Sequence, residues 1–178
     1  SNPGIEGISF VGSTKVGKEI YSQAAKKGKR VQCQTGANNF LVVMPDANLK
    51  RIMPNMMNAC FGNAGQRCLA GSIILGVGDI YEDLKETFIQ NSKDLNVGFG
   101  LDEDTEVGPV ISRDSLHNLH MSIEKGVEEG AELLLDGRQI EIKEYPNGYF
   151  LGPTVFEAQE GMEIFDEEIF GPVVCLNN

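Results

Sequence analysis

The residue in this sequence best suited to covalent chemistry is Cys68, which stands in Gly65-Gln66-Arg67-Cys68 directly after a cation. A neighbouring guanidinium can stabilise a thiolate, and glycines let backbone N–H groups approach the oxyanion formed when sulfur attacks a carbonyl. The plainer reading is a packed core thiol, since cysteine is among the most buried residue types. Cys33, Cys60 and Cys175 read as packing, each in an apolar strand or on the apolar stripe of a helix. Gly12-Ser13-Thr14-Lys15-Val16-Gly17 lies between an apolar run and a helical one, where free N–H groups at a helix start could meet an anion with no Cβ in the way. It matches neither the Walker pattern nor G-x-G-x-x-G, and an ordinary tight βα turn is its alternative. Glu167-Glu168-Ile169-Phe170-Gly171-Pro172 sets a carboxylate near an aromatic ring ahead of a rigid turn. That pattern suits a ribose hydroxyl and a flat ring, or else it is a solvated acidic loop. His117 and His120 have no third ligand near them in sequence and read as part of a surface helix. With no C-x-x-C and no zinc spacing, no metal site is expected.

The elements that must carry these residues alternate between strand and helix. Ile8–Val11 is a strand that stops at Gly12, and Val16, Ile20 and Ala24 give a helix running through Lys27. Arg30–Cys33 and Phe40–Met44 are the next strands. Pro45-Asp46-Ala47-Asn48 is a turn and cap for a helix from Leu49 to about Phe61, with Ile52, Met53, Met56, Met57 and Cys60 as its apolar stripe. Gly62 and Gly65 interrupt it, so Cys68 falls in or just beyond a glycine break. Ser72–Val77 is a buried-type strand, Ile80–Asn91 an amphipathic helix and Asp94–Ile111 a Gly- and acid-rich connection. Ser112 caps a helix reaching about Gly130. Leu133–Leu135, Asp136-Gly137 and Ile140–Ile142 suggest a hairpin. Phe150–Phe156 and Val173–Leu176 are the last strands, separated by the acidic stretch from Glu157 to Glu168. The order describes an α/β fold.

Composition narrows the possible partners. A hydrophobic fraction of 41% with 23% charged residues over 178 positions describes a chain able to bury a core, which excludes disorder and a disulfide scaffold. A net charge of −11 opposes binding to a phosphate backbone, so nucleic acid is not an expected partner. No apolar run is long enough for a membrane span, and Ser1-Asn2-Pro3-Gly4-Ile5-Glu6 has no secretory character. The expected compartment is the cytoplasm, or the mitochondrial matrix for a processed precursor; four unpatterned thiols suit either.

Four segments in this order, Phe10-Val11-Gly12-Ser13-Thr14-Lys15-Val16-Gly17, Thr35-Gly36-Ala37-Asn38-Asn39, Gly65-Gln66-Arg67-Cys68 and Glu168-Ile169-Phe170-Gly171-Pro172, resemble the aldehyde dehydrogenase superfamily. Gly36-Ala37-Asn38-Asn39, Val43-Met44-Pro45-Asp46-Ala47-Asn48, Arg67-Cys68 and Leu135-Asp136-Gly137-Arg138 look most like its CoA-acylating methylmalonate- or malonate-semialdehyde members. The resemblance implies an α/β, three-layer catalytic domain over residues 33–178, preceded by the tail end of an NAD-binding domain over residues 1–32. It implies Cys68 as the nucleophile that forms a thiohemiacetal and then a thioester, with NAD as hydride acceptor and CoA as acyl acceptor. Gly12, Ser13 and Gly17 would touch the cofactor's phosphate side, Glu168 and Phe170 the nicotinamide ribose, and Arg67 the carboxylate of a small aldehyde substrate. Hydrolytic members carry a glutamate base where this chain has Gln34, which cannot take a proton; attack by the CoA thiol needs less help than attack by water. The semialdehyde enzymes more often have asparagine at that position, and a lysine where this chain has Asn38. Because superfamily members are considerably longer, the resemblance also implies a fragment with little or no turnover alone, taken from a parent that is a homo-oligomer. The rival expectations are a non-acylating aldehyde dehydrogenase and a non-catalytic module that keeps the scaffold.

Overall fold

The computed structural model describes residues 2–178 as two compact units, divided between Ala37 and Asn38. In the first, β1 (Gly7–Val11) and β2 (Arg30–Gln34) pair in parallel, Gly7 opposite Arg30 and Val11 opposite Gln34, and α1 (Thr14–Ala25) forms the crossover between them. Gly12 N–H extends the ladder by donating to Gln34 O at 3.2 Å. Gly17 faces inward, where a Cβ would overlap the Thr35 methyl group, so the glycine sets how closely α1 lies on the strands.

The second unit is built on a five-stranded sheet. Its strands are β3 (Asn39–Val43), β4 (Gly71–Gly76), β5 (Glu132–Leu135), β6 (Thr154–Glu157) and β7 (Val173–Asn177), in the spatial order β3-β4-β7-β6-β5. All junctions are parallel except β5–β6. Four helices accompany them: α2 (Leu49–Phe61), α3 (Ile80–Lys93), α4 (Arg113–Glu128) and the short α5 (Glu163–Asp166). The two interior parallel strands have the near-continuous apolar character that burial on both faces demands: Ile73 and Ile74 on β4, and Val173 to Leu176 on β7. Met53, Met56, Met57, Cys60 and Phe61 form the buried stripe of α2, and Leu84 and Phe88 that of α3.

Helix starts follow local chemistry. The Asn48 side chain accepts from Arg51 N at 3.1 Å and Ser112 Oγ from Ser115 N at 3.1 Å, so α2 and α4 begin where the sequence places caps. The expected hairpin over Leu133–Ile142 does not form. Asp136 uses its carboxylate on Arg138, accepting from Nε at 2.9 Å and from the backbone N at 3.0 Å, and Gly137–Gln139 closes into a 3-10 turn. Gly137 is a close-approach residue here, since a Cβ would collide with the Gly152 carbonyl, whose own N–H donates to Gly137 O at 2.9 Å. β5 therefore pairs antiparallel with β6, Leu133 opposite Phe156. The strand expected over Phe150–Phe156 is confined to Thr154–Glu157, because Pro153 has no N–H for the ladder. The acidic stretch expected only to separate two strands contains α5. His117 is exposed on α4 as the surface reading required, but His120 is half-buried, its Nε2 without a partner among the described residues.

At the end of β6, Glu157 accepts from Tyr81 Oη at 2.7 Å and pairs with Lys85 Nζ at 3.2 Å. Burial raises its affinity for a proton, but the hydrogen bonds from Tyr81 and Lys85 and the Lys85 charge outweigh this and hold the carboxyl below its usual range. A carboxyl depressed on folding stabilises the protein above its unfolded value, and that contribution is lost as the pH falls through the folded value. The melting-temperature difference between the parent and Glu157→Gln should therefore be present at neutral pH and shrink steadily below about pH 4.3. A difference that grows with acid would refute this assignment.

Candidate functional site around Cys68

The helix α2 stops in an unusual way. Asn63, Ala64 and Gly65 take φ values of 55°, 51° and 67°, one turn of left-handed backbone, although only the third is glycine. Such a conformation costs a non-glycine residue roughly 1–2 kcal/mol, so it must be held from outside. Asn63 Nδ2 donates to Gln66 O at 3.1 Å, Gln66 Nε2 returns to Asn63 O at 3.2 Å, and Gln66 Oε1 accepts from Ile111 N at 2.9 Å. Ala64 is fully buried. At Gly65 the backbone presses on the Gly171 carbonyl so closely that a Cβ could not be accommodated.

The chain then makes a tight turn closed by Ala70 N donating to Arg67 O at 3.0 Å, with Cys68 and Leu69 at its exposed corners. Leu69 is 86% exposed and Cys68 is a free, exposed thiol. From the start of β3, Asn39 Nδ2 donates to Cys68 O at 2.8 Å and to Ala70 O at 2.9 Å. Arg67 points back at α2, where its Nη2 donates to the Asn58 and Ala59 carbonyls, the latter at 3.1 Å. Both carbonyls lie in the last turn of α2, where the Asn58 oxygen also accepts from Gly62 N, and a cation there is favoured by the helix dipole. Arg67 Nε is buried without a partner among the described residues.

The Gly65–Gly171 contact joins the segment that leads into the Cys68 turn to the one that follows Phe170. Glu168 and Phe170 are exposed on the segment leading into β7, and Phe170 has φ 57°. The turn behind them is fixed by Val173 N donating to Gly171 O at 2.8 Å and Thr154 N to Pro172 O at 2.9 Å. Arg67, Cys68, Glu168 and Phe170 thus belong to the second unit, while Gly12, Ser13 and Gly17 gather at the start of α1 in the first. There Ser13 takes the N-cap position with no side-chain cap bond, so the first-turn N–H groups of α1 are not consumed by its hydroxyl.

The four cysteines are sharply graded. Cys60 is pushed up to about 12 by burial, which outweighs the opposing Arg67 charge, and burial alone takes Cys175 to about 12. The Cys175 Sγ donates to Ile164 O at 3.3 Å, and the half-buried Cys33 Sγ donates to Gly17 O at 3.4 Å. The core reading of Cys60 and Cys175 holds, and Cys68 is the exposed one. Among the described residues no group of three His, Cys, Asp or Glu side chains is placed to hold a metal ion. Nor is any helix long and apolar enough to cross a membrane.

The family model for the aldehyde dehydrogenase family matches residues 1–178, and the chain belongs to that family. Within it, the chain is 41% identical over 177 residues to malonate-semialdehyde dehydrogenase 1 of Oceanobacillus iheyensis, covering 99% of this chain and 36% of the relative. It is 44% identical over 174 residues to the acylating, mitochondrial methylmalonate-semialdehyde dehydrogenase of Arabidopsis thaliana, covering 97% and 28%. The crystal structure of methylmalonate-semialdehyde dehydrogenase from Oceanimonas doudoroffii superimposes with a TM-score of 0.93 at 35% identity, over 99% of this chain and 36% of that one. Betaine aldehyde dehydrogenase of Staphylococcus aureus, solved with NAD+, gives 0.93 at 31% identity over 97% and 35%. The chain spans about a third of the length of the relatives it matches.

Two measurements check this geometry. Gly65→Ala should lower the unfolding free energy in urea by at least about 2 kcal/mol, since it adds a Cβ at positive φ against a backbone carbonyl; a cost under about 0.5 kcal/mol would mean the turn is not held against Gly171. Iodoacetamide at about pH 8 should label Cys68 of the folded chain well before Cys60 and Cys175, whose order would be reversed only if the turn were buried.

Proposed function

We propose that this chain is the nucleophile-bearing part of an NAD-dependent, CoA-acylating semialdehyde dehydrogenase acting on malonate or methylmalonate semialdehyde. The observation that carries the reading is an exposed cysteine, Cys68, held on a hydrogen-bonded turn whose leading segment packs at Gly65 on Gly171, next to Phe170, in a chain over 40% identical to enzymes named for those substrates. In this reading the first unit, which carries β2 through Gln34 and so extends beyond residue 32 to Ala37, ends the cofactor domain, and the second belongs to the catalytic domain. Cys68 Sγ attacks the aldehyde carbon, and oxidation leaves the acyl group on sulfur as a thioester. NAD, when bound, supplies the oxidant.

The residues present fit that cofactor. Around Gly12 and Ser13 the α1 start offers uncapped N–H groups suited to a phosphate, with buried Gly17 letting the helix lie close to its strands. Glu168 offers a carboxylate for a ribose hydroxyl, and Phe170, 47% exposed, an accessible ring face. Arg67 takes the substrate carboxylate by exchanging the Asn58 and Ala59 carbonyls for it, a substitution a guanidinium can make without losing hydrogen bonds. Gln34 cannot deprotonate water, which favours release of the acyl group to the thiol of CoA. The compartment we assign is the cytoplasm, with the mitochondrial matrix as alternative because the Arabidopsis relative is named mitochondrial.

The test is intact and peptide mass after mixing the chain with NAD and malonate or methylmalonate semialdehyde. An acyl adduct on Cys68, absent from Cys68→Ser and discharged at least about tenfold faster with CoA than without, is the expected result. Equal discharge in buffer would assign a non-acylating dehydrogenase. No adduct, together with no effect of NAD on Cys68 alkylation, would leave a scaffold without catalysis and overturn the proposal.

A further inference from the structure

Both segments of the candidate site are tied to one point in the fold, the beginning of β3. Asn39 Nδ2 holds the Cys68 and Ala70 carbonyls. One residue earlier, Asn38 Nδ2 donates to Phe165 O at 3.1 Å and Asp166 O at 2.9 Å, the carbonyls at the end of α5 from which the chain runs to Glu168 and Phe170. Ser72 on β4 joins the two: its Oγ donates to Asn38 Oδ1 at 3.3 Å and accepts from Asn39 N at 3.2 Å. Each amide nitrogen has two hydrogens and meets two carbonyl oxygens, so both side chains have all their donors engaged, and a flipped amide would set oxygen against oxygen.

We propose that Asn38 and Asn39 are positioning residues of this site, Asn39 fixing the turn that presents Cys68 and Asn38 fixing the segment that presents Glu168 and Phe170, with Ser72 coupling them. A side-chain amide suits this work better than any other side chain of its size. It is uncharged, so it does not disturb the potential at the thiol, and it donates twice through one atom, so one residue can pin two carbonyls of a single turn. Because the Cys68 carbonyl is held, the peptide plane after the nucleophile cannot rotate, and the direction of the Cys68 side chain is fixed relative to β3. The adjacent pair has a further consequence. Successive residues at the start of a strand point to opposite sides, so Asn38 and Asn39 reach two segments nearly 100 positions apart in sequence, Cys68 and Asp166, from one short stretch of backbone.

This proposal rests on Cys68 being the nucleophile, and its test separates the two ideas. Amide hydrogen exchange and per-cysteine iodoacetamide pH–rate profiles would be measured on the parent chain, Asn39→Ala, Asn39→Asp and Asn38→Ala. Both Asn39 variants should speed exchange over residues 69–71 by at least about tenfold while residues 163–170 stay within about twofold, and Asn38→Ala should do the reverse. The Cys68 pH–rate profile should change in Asn39→Ala, while that of Cys33 stays in place. Asn39→Asp keeps the shape but loses both donors, so it must fail to rescue. If either Asn39 variant does not fold, Ser72→Ala, which removes only the link, should raise exchange in both segments together. Unchanged exchange in all variants, a uniform rise across the chain, or, where the parent Cys68 profile differs from that of a free thiol, an unmoved profile in Asn39→Ala would each overturn the proposal. A parent chain in which Cys68 labels like an ordinary thiol, with the exchange pattern as expected, would instead fault the catalytic reading and leave the two asparagines as fixed.

Discussion

Three consecutive residues in left-handed conformation, Asn63 to Gly65, are the constraint from which the rest of the Cys68 region follows. A helix as apolar along one side as α2 would normally run on until its buried stripe ended. The left-handed turn stops it at Phe61, reverses the chain and sends it into the tight turn that exposes Cys68. That backbone is unfavourable in isolation, and it persists because its surroundings oppose relaxation from three directions: the reciprocal Asn63–Gln66 amide bonds, the Ile111 N–H and the Gly171 carbonyl. The same contacts that hold the strain also locate the loop of Glu168 and Phe170. Where the two segments meet, at Gly65 and Gly171, backbone lies on backbone with no side chain between them.

Much of this could be read from the sequence, and the parts that could not share a cause. The bounds of α2 were legible because Asn48 is a cap and the methionines repeat with the helical period. Ser112 announced α4 in the same way. The strands β4 and β7 stood out as short apolar runs. What escaped were the features that depend on contacts distant in sequence. Gly137 looks like a turn residue until Gly152 is seen against it, and the turn dipeptide then loses its meaning. Ala64 carries no local mark of positive φ, although Asn63, a residue type that adopts it, does. Arg67 could have been suspected of serving the helix end, since cations collect near C-terminal carbonyls, but its neighbour Cys68 drew attention to chemistry instead. Asn38 and Asn39 were visible only as parts of a motif, because nothing at their own positions indicates that their partners lie near residues 68 and 166.

The two roles open to Arg67 bear on one another. In the structure it binds carbonyls at the end of α2, and the exposed Cys68 follows it directly in the chain. Under the proposed function, exchange of those helix carbonyls for a carboxylate would couple ligand arrival to a small release of the helix terminus beside the thiol.

The grading of the thiols also has a meaning for how the chain ages. Cys60 and Cys175 lie in the core and stay protonated across the physiological range, whereas Cys68 is open to solvent. An oxidant such as peroxide therefore meets Cys68 first, converting it to a sulfenic acid while the packing beneath is still intact. Oxidative damage in this chain falls on reactivity before it reaches the fold, and a population that has lost its thiol chemistry would still melt and exchange like the undamaged one.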